Sequence, residues 1–324
     1  MNEIIGEIGS VHDGSIGNAK KLIDLCKICG ADYAKFQLHI PEYESCIDAP
    51  SPNFFNNEDR FDYFRRTSFT LNQWKELIEY SSSIGIKFLC SPFSIEAFDM
   101  LYTLGVRDFK IASGEVSNIP LLEYINSFKC NIFLSTGMSD YEEIDCAIDA
   151  LCDSELLIMQ CTSMYPCPPE RVGLNIISEF KKRYPKYRIG FSDHYDGLAA
   201  GYSAAALGVS VIEKHITFSK FMYGSDAKYA LEPTEFKQYS DGIREIWSMI
   251  DNPVDKNNLI DFIDMKNVFE KSIVAKNFIE KDMTISMSDL AFKKPGNGIK
   301  PKFYKNLIGK KASKNYSKDQ QIEF

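Results

Sequence analysis

Short apolar runs and helical patterns alternate eight times over the first 250 residues of this 324-residue chain, and few architectures accommodate that count. The strand-like runs are Glu3–Gly9, Tyr33–Leu38, Lys87–Ser91, Asp108–Ala112, Asn131–Ser135, Glu155–Gln160, Ile189–His194 and Val211–His215. Between them lie stretches with apolar residues at helical spacing, such as Ala19, Leu22, Ile23, Leu25, Cys26 and Cys29, closed by Gly30 as a helix-stop glycine. A strand–helix–strand unit makes its two strands parallel. Eight such units predict an α/β fold, a closed (β/α)₈ TIM barrel. An open doubly wound sheet would not need eight regular units, and no glycine-rich phosphate fingerprint follows the first strand. The expected organisation is a barrel over 1–250, a linker over 251–267 opened by Asp251-Asn-Pro-Val-Asp255, and a small, mostly β unit over 268–324. So small a unit is marginal alone and is expected to dock on something. A polar excursion over 39–68, rich in Pro, Asn, Asp and aromatics, reads as a long functional loop.

The net charge of −8 argues against nucleic acid or an anionic membrane as the main partner, while leaving room for an anionic small molecule in a local basic pocket. Nine scattered cysteines suit a reducing cytosol. Cys26-Lys-Ile-Cys29 falls inside a helical pattern and reads as two half-buried thiols. The start, Met1-Asn-Glu-Ile-Ile-Gly6, has no cationic or apolar leader character, and no run is long enough to span a membrane. The expected location is cytoplasmic.

Active sites of barrels lie at the carboxyl ends of the strands. His194 and His215, two of only four histidines, close consecutive parallel strands and so fall at that same end. With nearby carboxylates they form a candidate site for a divalent ion with open positions. Lys35 and Lys110 interrupt apolar strands, and a lysine pointing into a barrel needs an anion. That anion is either a carboxylate of the chain (Glu7, Glu115 or Glu213) or a bound phosphate and carboxylate. In the second case Ser91, Ser113, Ser163 and Ser192 complete the hydrogen bonds. A small phosphorylated acid beside a metal that polarises a carbonyl is the implied chemistry.

Glu7-Ile-Gly-Ser-Val-His-Asp-Gly14, Gly30-Ala-Asp-Tyr-Ala-Lys-Phe-Gln37, Ser91-Pro-Phe93, Lys110-Ile-Ala-Ser-Gly-Glu115, Ser135-Thr-Gly-Met138, Cys161-Thr-Ser-Met-Tyr-Pro166, Gly190-Phe-Ser-Asp-His194 and Glu213-Lys-His215 occur in the order of the sialic acid synthase family, which the chain resembles. Lys294-Pro-Gly-Asn-Gly298 and Leu307-Ile-Gly-Lys-Lys-Ala312 look like that family's antifreeze-like (SAF) cap. The resemblance covers essentially the whole chain. It implies condensation of phosphoenolpyruvate with an aldose to a nonulosonic acid, assisted by manganese or magnesium held by His194 and His215. It assigns phosphoenolpyruvate to Lys35, Lys110, Ser91, Ser113, Ser163 and Ser192. Glu7, Gln37, Tyr165 and Asp226 would contact the sugar, Glu115 would orient or activate water, and Lys294 would reach the sugar from the cap. It also implies a homodimer whose cap closes the partner's site.

Lys294 stands where members using N-acetylmannosamine carry arginine, and lysine lacks arginine's planar fork. Gln160 stands where histidine is common. The reaction is therefore specified more firmly than the sugar, and the 39–68 loop is expected to help set that choice. A metal-dependent aldolase or barrel hydrolase would explain the histidines but not two strand lysines with four serines. A ketodeoxy-acid synthase acting on a sugar phosphate would need a second basic site and no cap. A non-catalytic sugar- or ice-binding protein is disfavoured by the lysine-dense tail.

Overall fold

The computed structural model describes residues 2–51 and 58–323. Eight parallel strands close into a barrel in sequence order: β1 Glu3–Gly9, β2 Tyr33–Leu38, β3 Lys87–Pro92, β4 Asp108–Ile111, β5 Asn131–Ser135, β6 Glu155–Cys161, β7 Arg188–Asp193 and β8 Val211–His215. Helix α1 (Ile16–Ile28) follows β1. Two helices that the sequence reading missed, α2 (Pro41–Glu44) and α3 (Arg60–Thr67), lie within the excursion after β2, and α4 (Leu71–Ser83) follows them. The expectation of one long loop over 39–68 is corrected accordingly, residues 52–57 lying outside the described residues. α2 is only four residues long, too short for a periodic signal. The remaining crossovers are α5 (Ile95–Thr103), α6 (Ile119–Asn126), α7 (Tyr141–Ala150), α8 (Leu174–Arg183) and α9 (Ala199–Ala206), and α10 (Pro233–Asp251) follows β8.

Side chains alternate across a strand, and here that parity sorts the barrel into layers. Ile5, Tyr33, Leu89, Phe133, Leu157, Met159 and Val211 form a buried cluster separate from the main core; their strand positions make it the apolar floor of the lumen. Gly190 completes the floor: a Cβ there would meet Leu157 Cδ2 at 2.9 Å and the Val211 carbonyl at 3.1 Å. One step of two residues toward the carboxyl end stand Glu7, Lys35, Ser91, Ser135, Cys161, Ser192 and Glu213. The lumen thus changes from apolar to polar within a single step along each of these strands. Beneath the floor, Glu3 ties β1 to Lys87 at 2.7 Å and to Arg188 at 3.2 Å. The opposite strand faces pack on the helices in the main core, which includes Ile4, Phe36, Phe109, Ile132, Ile158, Phe191 and Ile212.

Cys26 and Cys29 are both buried and bond the carbonyls of Gly6 and Pro233. Burial pushes both thiols up, which makes them unreactive packing groups.

The chain divides into two compact units, 1–252 and 253–324. In the second, a 3₁₀ turn (Ile260–Phe262) and helix α11 (Ile263–Phe269) occupy much of the stretch read as linker. Two four-residue strands, β9 Ser272–Ala275 and β10 Leu290–Lys293, pair antiparallel, with Leu290 opposite Ala275. The rest is mainly turns packed around Ile273, Ile279, Ile285, Leu307, Tyr316 and Ile322, so the unit carries less strand than "mostly β" implied.

Candidate active site

A cavity of about 540 Å³ opens at the carboxyl ends of the strands, within the usual range for small-molecule sites. Glu7, Lys35, Gln37, Ser91, Lys110, Ser113, Ser163, Tyr165, Ser192, His194, His215 and Asp226 all line it. Glu115 is not among the lining residues. It sits on the 3₁₀ turn Ser113–Glu115 and accepts a hydrogen bond from Asn118 Nδ2 at 2.8 Å. Burial pushes its carboxyl up, against the pull of that bond. Lys294 belongs to the second unit, where its ammonium stands 5.0 Å over the Phe269 ring. Gln160 faces away from the lumen and donates to the Val172 carbonyl.

Both strand lysines are buried and both have carboxylate partners within the chain. Lys35 Nζ lies 2.8 Å from Glu7 Oε2 and 3.7 Å from Glu213 Oε1, and Lys110 Nζ lies 3.0 Å from Glu213 Oε1. Ser192 Oγ adds a third donor to that oxygen at 3.2 Å. Burial alone would push Glu213 up, but Lys110 and Lys35 hold it at about 2. Two cations are thereby matched by two anions, so the cluster as it stands is neutral. Its hydrogen bonding, however, is incomplete. Ser91 Oγ, Ser135 Oγ, Glu213 Oε2 and His215 Nδ1 are buried without a hydrogen-bond partner, which folded proteins rarely tolerate outside functional sites. Gly137 keeps a further space open: its N–H donates to Ser113 Oγ at 3.0 Å, and a Cβ there would collide with the hydroxyls of Ser113 and Ser163.

The two lumen histidines stand with ring centroids 5.7 Å apart. His194 Nδ1 faces the Thr162 carbonyl at 2.9 Å, so Nδ1 carries the hydrogen and Nε2 is left as the free donor atom, the usual outer-shell arrangement for a metal-binding imidazole. Burial holds His215 below its ordinary value, against the pull of Asp226 and Glu7. Among the described residues no group of three or more His, Cys, Asp or Glu side chains is disposed to hold a metal. An ion here would have two imidazoles from the protein and would take its other ligands from water or substrate. The pair fits a divalent cation on those terms, and such an ion would add positive charge to the cavity.

The cavity also contains residues that sequence reasoning did not single out as ligand contacts. Ser135 and Cys161 follow from strand parity alone. His39 lies two residues beyond Gln37, and the same alternation could have flagged it. Arg60, on α3, could not have been placed from sequence. It lines the cavity with its guanidinium 5.7 Å from the centre of the Phe64 ring, and its buried Nε has no hydrogen-bond partner. His12, part of the opening motif, is structural: burial pushes it down to about 4, and its Nδ1 accepts from the Gly14 N–H.

Residues 22–255 match the NeuB family. The chain is 36% identical to the N,N'-diacetyllegionaminic acid synthase of Campylobacter jejuni, with 98% of each chain covered. It is 33% identical to human N-acetylneuraminate-9-phosphate synthase, covering 98% of this chain and 90% of that one. The solved N-acetylneuraminic acid synthetase of Leptospira borgpetersenii superposes with a TM-score of 0.72 at 26% identity, over 83% of this chain and 92% of the other. Truncated 3-deoxy-D-arabino-heptulosonate 7-phosphate synthase of Thermotoga maritima (TM-score 0.61, 12% identity, 78% of this chain and 89% of that one) shares the fold. The chain belongs to the NeuB family, the sialic acid synthases. It is an enzyme of that type.

Proposed function

We propose that this enzyme condenses phosphoenolpyruvate with an aldose, N-acetylmannosamine or a related acetamido or diacetamido sugar, to give a nonulosonic acid and phosphate. The observation that carries this reading is the pair of buried hydroxyls without partners, Ser91 Oγ and Ser135 Oγ, in the same lumen as Lys35 and Lys110, which could donate to the oxygens of a phosphate or a carboxylate. Lys35, Lys110, Ser91, Ser113, Ser163 and Ser192 hold phosphoenolpyruvate, their hydroxyls turning to donate to its oxygens. Glu7, Gln37, Tyr165 and Asp226 orient the aldose above it. His194 and His215 would hold a divalent cation, manganese or magnesium, which when bound supplies Lewis-acid polarisation and charge neutralisation. The enol carbon bonds to the aldehyde carbon, water adds to the resulting cationic carbon, and phosphate leaves with C–O cleavage. The lysines offset charge as it shifts toward the departing phosphate. Glu115, outside the lining, is given no step.

The reading extends to a homodimer in which the 253–324 unit of one protomer covers the partner's cavity and brings Lys294 to the sugar. It also places the enzyme in the cytoplasm, in keeping with nine free cysteines. Among the described residues no helix is long and apolar enough to cross a membrane.

The test is phosphate release from phosphoenolpyruvate with manganese across a panel of aldoses, with products identified by mass. Turnover with an acetamido sugar, abolished by chelator, is expected; no release from folded, metal-loaded protein with any sugar would overturn the reading. A phosphorylated aldose is the second reading. Arg60 favours it as a cation on the cavity wall whose buried Nε has no hydrogen-bond partner.

A further inference from the structure

His39 lines the cavity, and the mechanism leaves it unused. Its ring lies flat between Phe64 (centroids 3.7 Å apart, 16° between planes) and Phe93 (4.1 Å, 19°), so its polar partners meet it at the edge nitrogens. Nδ1 faces both Glu44 carboxylate oxygens, at 2.9 and 3.0 Å. Nε2 faces Gln37 Oε1 at 3.2 Å.

The orientation of Gln37 is fixed from its other end. Its amide nitrogen donates to Glu7 Oε1 at 2.6 Å, and an ionised carboxylate can only accept. The amide oxygen therefore turns to His39, and it too can only accept. Both ring nitrogens face acceptors, so both must carry hydrogen, whereas a neutral imidazole carries only one. His12, whose Nδ1 accepts from a backbone N–H, shows the opposite arrangement in the same chain.

We infer that His39 is an imidazolium held by Glu44, and that it is a positioning residue which locks Gln37 and, through it, Glu7. His39 donates to Glu44 and to Gln37, Gln37 donates to Glu7, and Lys35 takes the other Glu7 oxygen at 2.8 Å. Hydrogen bonds from Glu44 through His39 and Gln37 to Glu7, continued by the Glu7–Lys35 ion pair, thus join α2 to the lysine cluster in the lumen. Loss of either ring proton would set a lone pair against Glu44 or against the Gln37 oxygen. The amide would then be free to rotate, and Glu7 would lose its fixed aim. The other charged groups facing this assembly are Arg60 on α3 and Glu115 on the turn after β4, both of which interact electrostatically within it. The side chains of His39 and Glu44 are only 10% and 5% exposed, so solvent offers little substitute for these bonds.

The catalytic part of this inference rests on the proposed condensation; the charge on His39 does not. The full-length protein labelled with ¹⁵N-histidine gives four ring systems, assignable by single substitutions that include His39→Gln. At pH 7 both nitrogens of His39 are expected to read as protonated, and Glu44→Gln, which keeps the ring and its stacking, is expected to return a neutral ring. In turnover, His39→Gln and Glu44→Gln should lower kcat by roughly 10- to 100-fold, the scale of a misplaced reacting group, with the KM for phosphoenolpyruvate little changed. Thermal melting of each variant establishes that it is folded. A neutral His39 in the wild-type protein, or kcat unchanged in both variants, would overturn the inference. Absence of phosphoenolpyruvate turnover in the wild type would instead sink the proposed reaction, and the nitrogen signals would still decide the charge.

Discussion

Lys110 on β4 reaches across the lumen to Glu213 on β8, 3.0 Å away, tying together two strands that are not neighbours in the sheet. Glu213 also stands 3.7 Å from Lys35, so one carboxylate serves two buried cations. Glu213→Leu leaves Lys110 without its counter-charge and is expected to cost about 3–5 kcal/mol of stability. The double variant Lys110→Met/Glu213→Leu should cost less than the sum of its single changes by at least about 1 kcal/mol. Denaturant unfolding of the four proteins measures this, and strict additivity would show that the pair is not coupled.

Arg60 is expected to recognise the aldose. Arg60→Gln removes a charged donor from the cavity wall and should raise the aldose KM by about tenfold or more, the scale of a lost charge-assisted hydrogen bond. The KM for phosphoenolpyruvate should stay nearly constant. If that KM rises instead, the guanidinium belongs to the other substrate.

The proposal that His194 and His215 hold a divalent cation has a readout independent of turnover. Elemental analysis of protein dialysed against manganese should find the ion in the wild type and lose it in both His194→Ala and His215→Ala. Retention in both variants would place the ion elsewhere.

At the amino-terminal end of the barrel, burial pushes Glu3 up, but Lys87 and Arg188 together prevail and hold it below the usual carboxylate range. A carboxyl depressed in the folded state adds stability above its unfolded value, near 4.5, and that stability fades as pH falls through the folded value. Glu3→Gln should therefore lower Tm at pH 7, and the gap to the wild type should close as pH falls well below 4.5. A gap that stays constant down to pH 2 would mean that the ion pairs add nothing.

The barrel was legible because its evidence is local. Each strand is short, bounded and followed by a helical pattern, and alternation alone puts Glu7, Lys35, Ser91 and Glu213 into one lumen. The same rule would have brought in Ser135 and, two residues past Gln37, His39. What stayed hidden depends on contacts between distant segments. The choice between carboxylate and ligand as partner for Lys35 and Lys110 could not be made from sequence, because it turns on where Glu7 and Glu213 point; both proved to be partners. Arg60 lines the cavity from α3 and Glu44 on α2 meets it only through His39, and the stacking of His39 between Phe64 and Phe93 joins residues from three separate stretches. Glu115 shows the converse: a motif residue at a strand end whose side chain bonds its own turn.

The apolar floor built by Ile5, Tyr33, Leu89, Phe133, Leu157, Met159, Val211 and the bare backbone of Gly190 makes the cavity a blind well. Two reactants of unequal depth must then use one doorway in sequence. The one gripped by the lowest groups has to arrive before the other is seated, and a tightly held upper guest seals the lower one in. Initial-velocity patterns expected of such a well are those of an ordered scheme, with the reactant that rests on the apolar floor binding first.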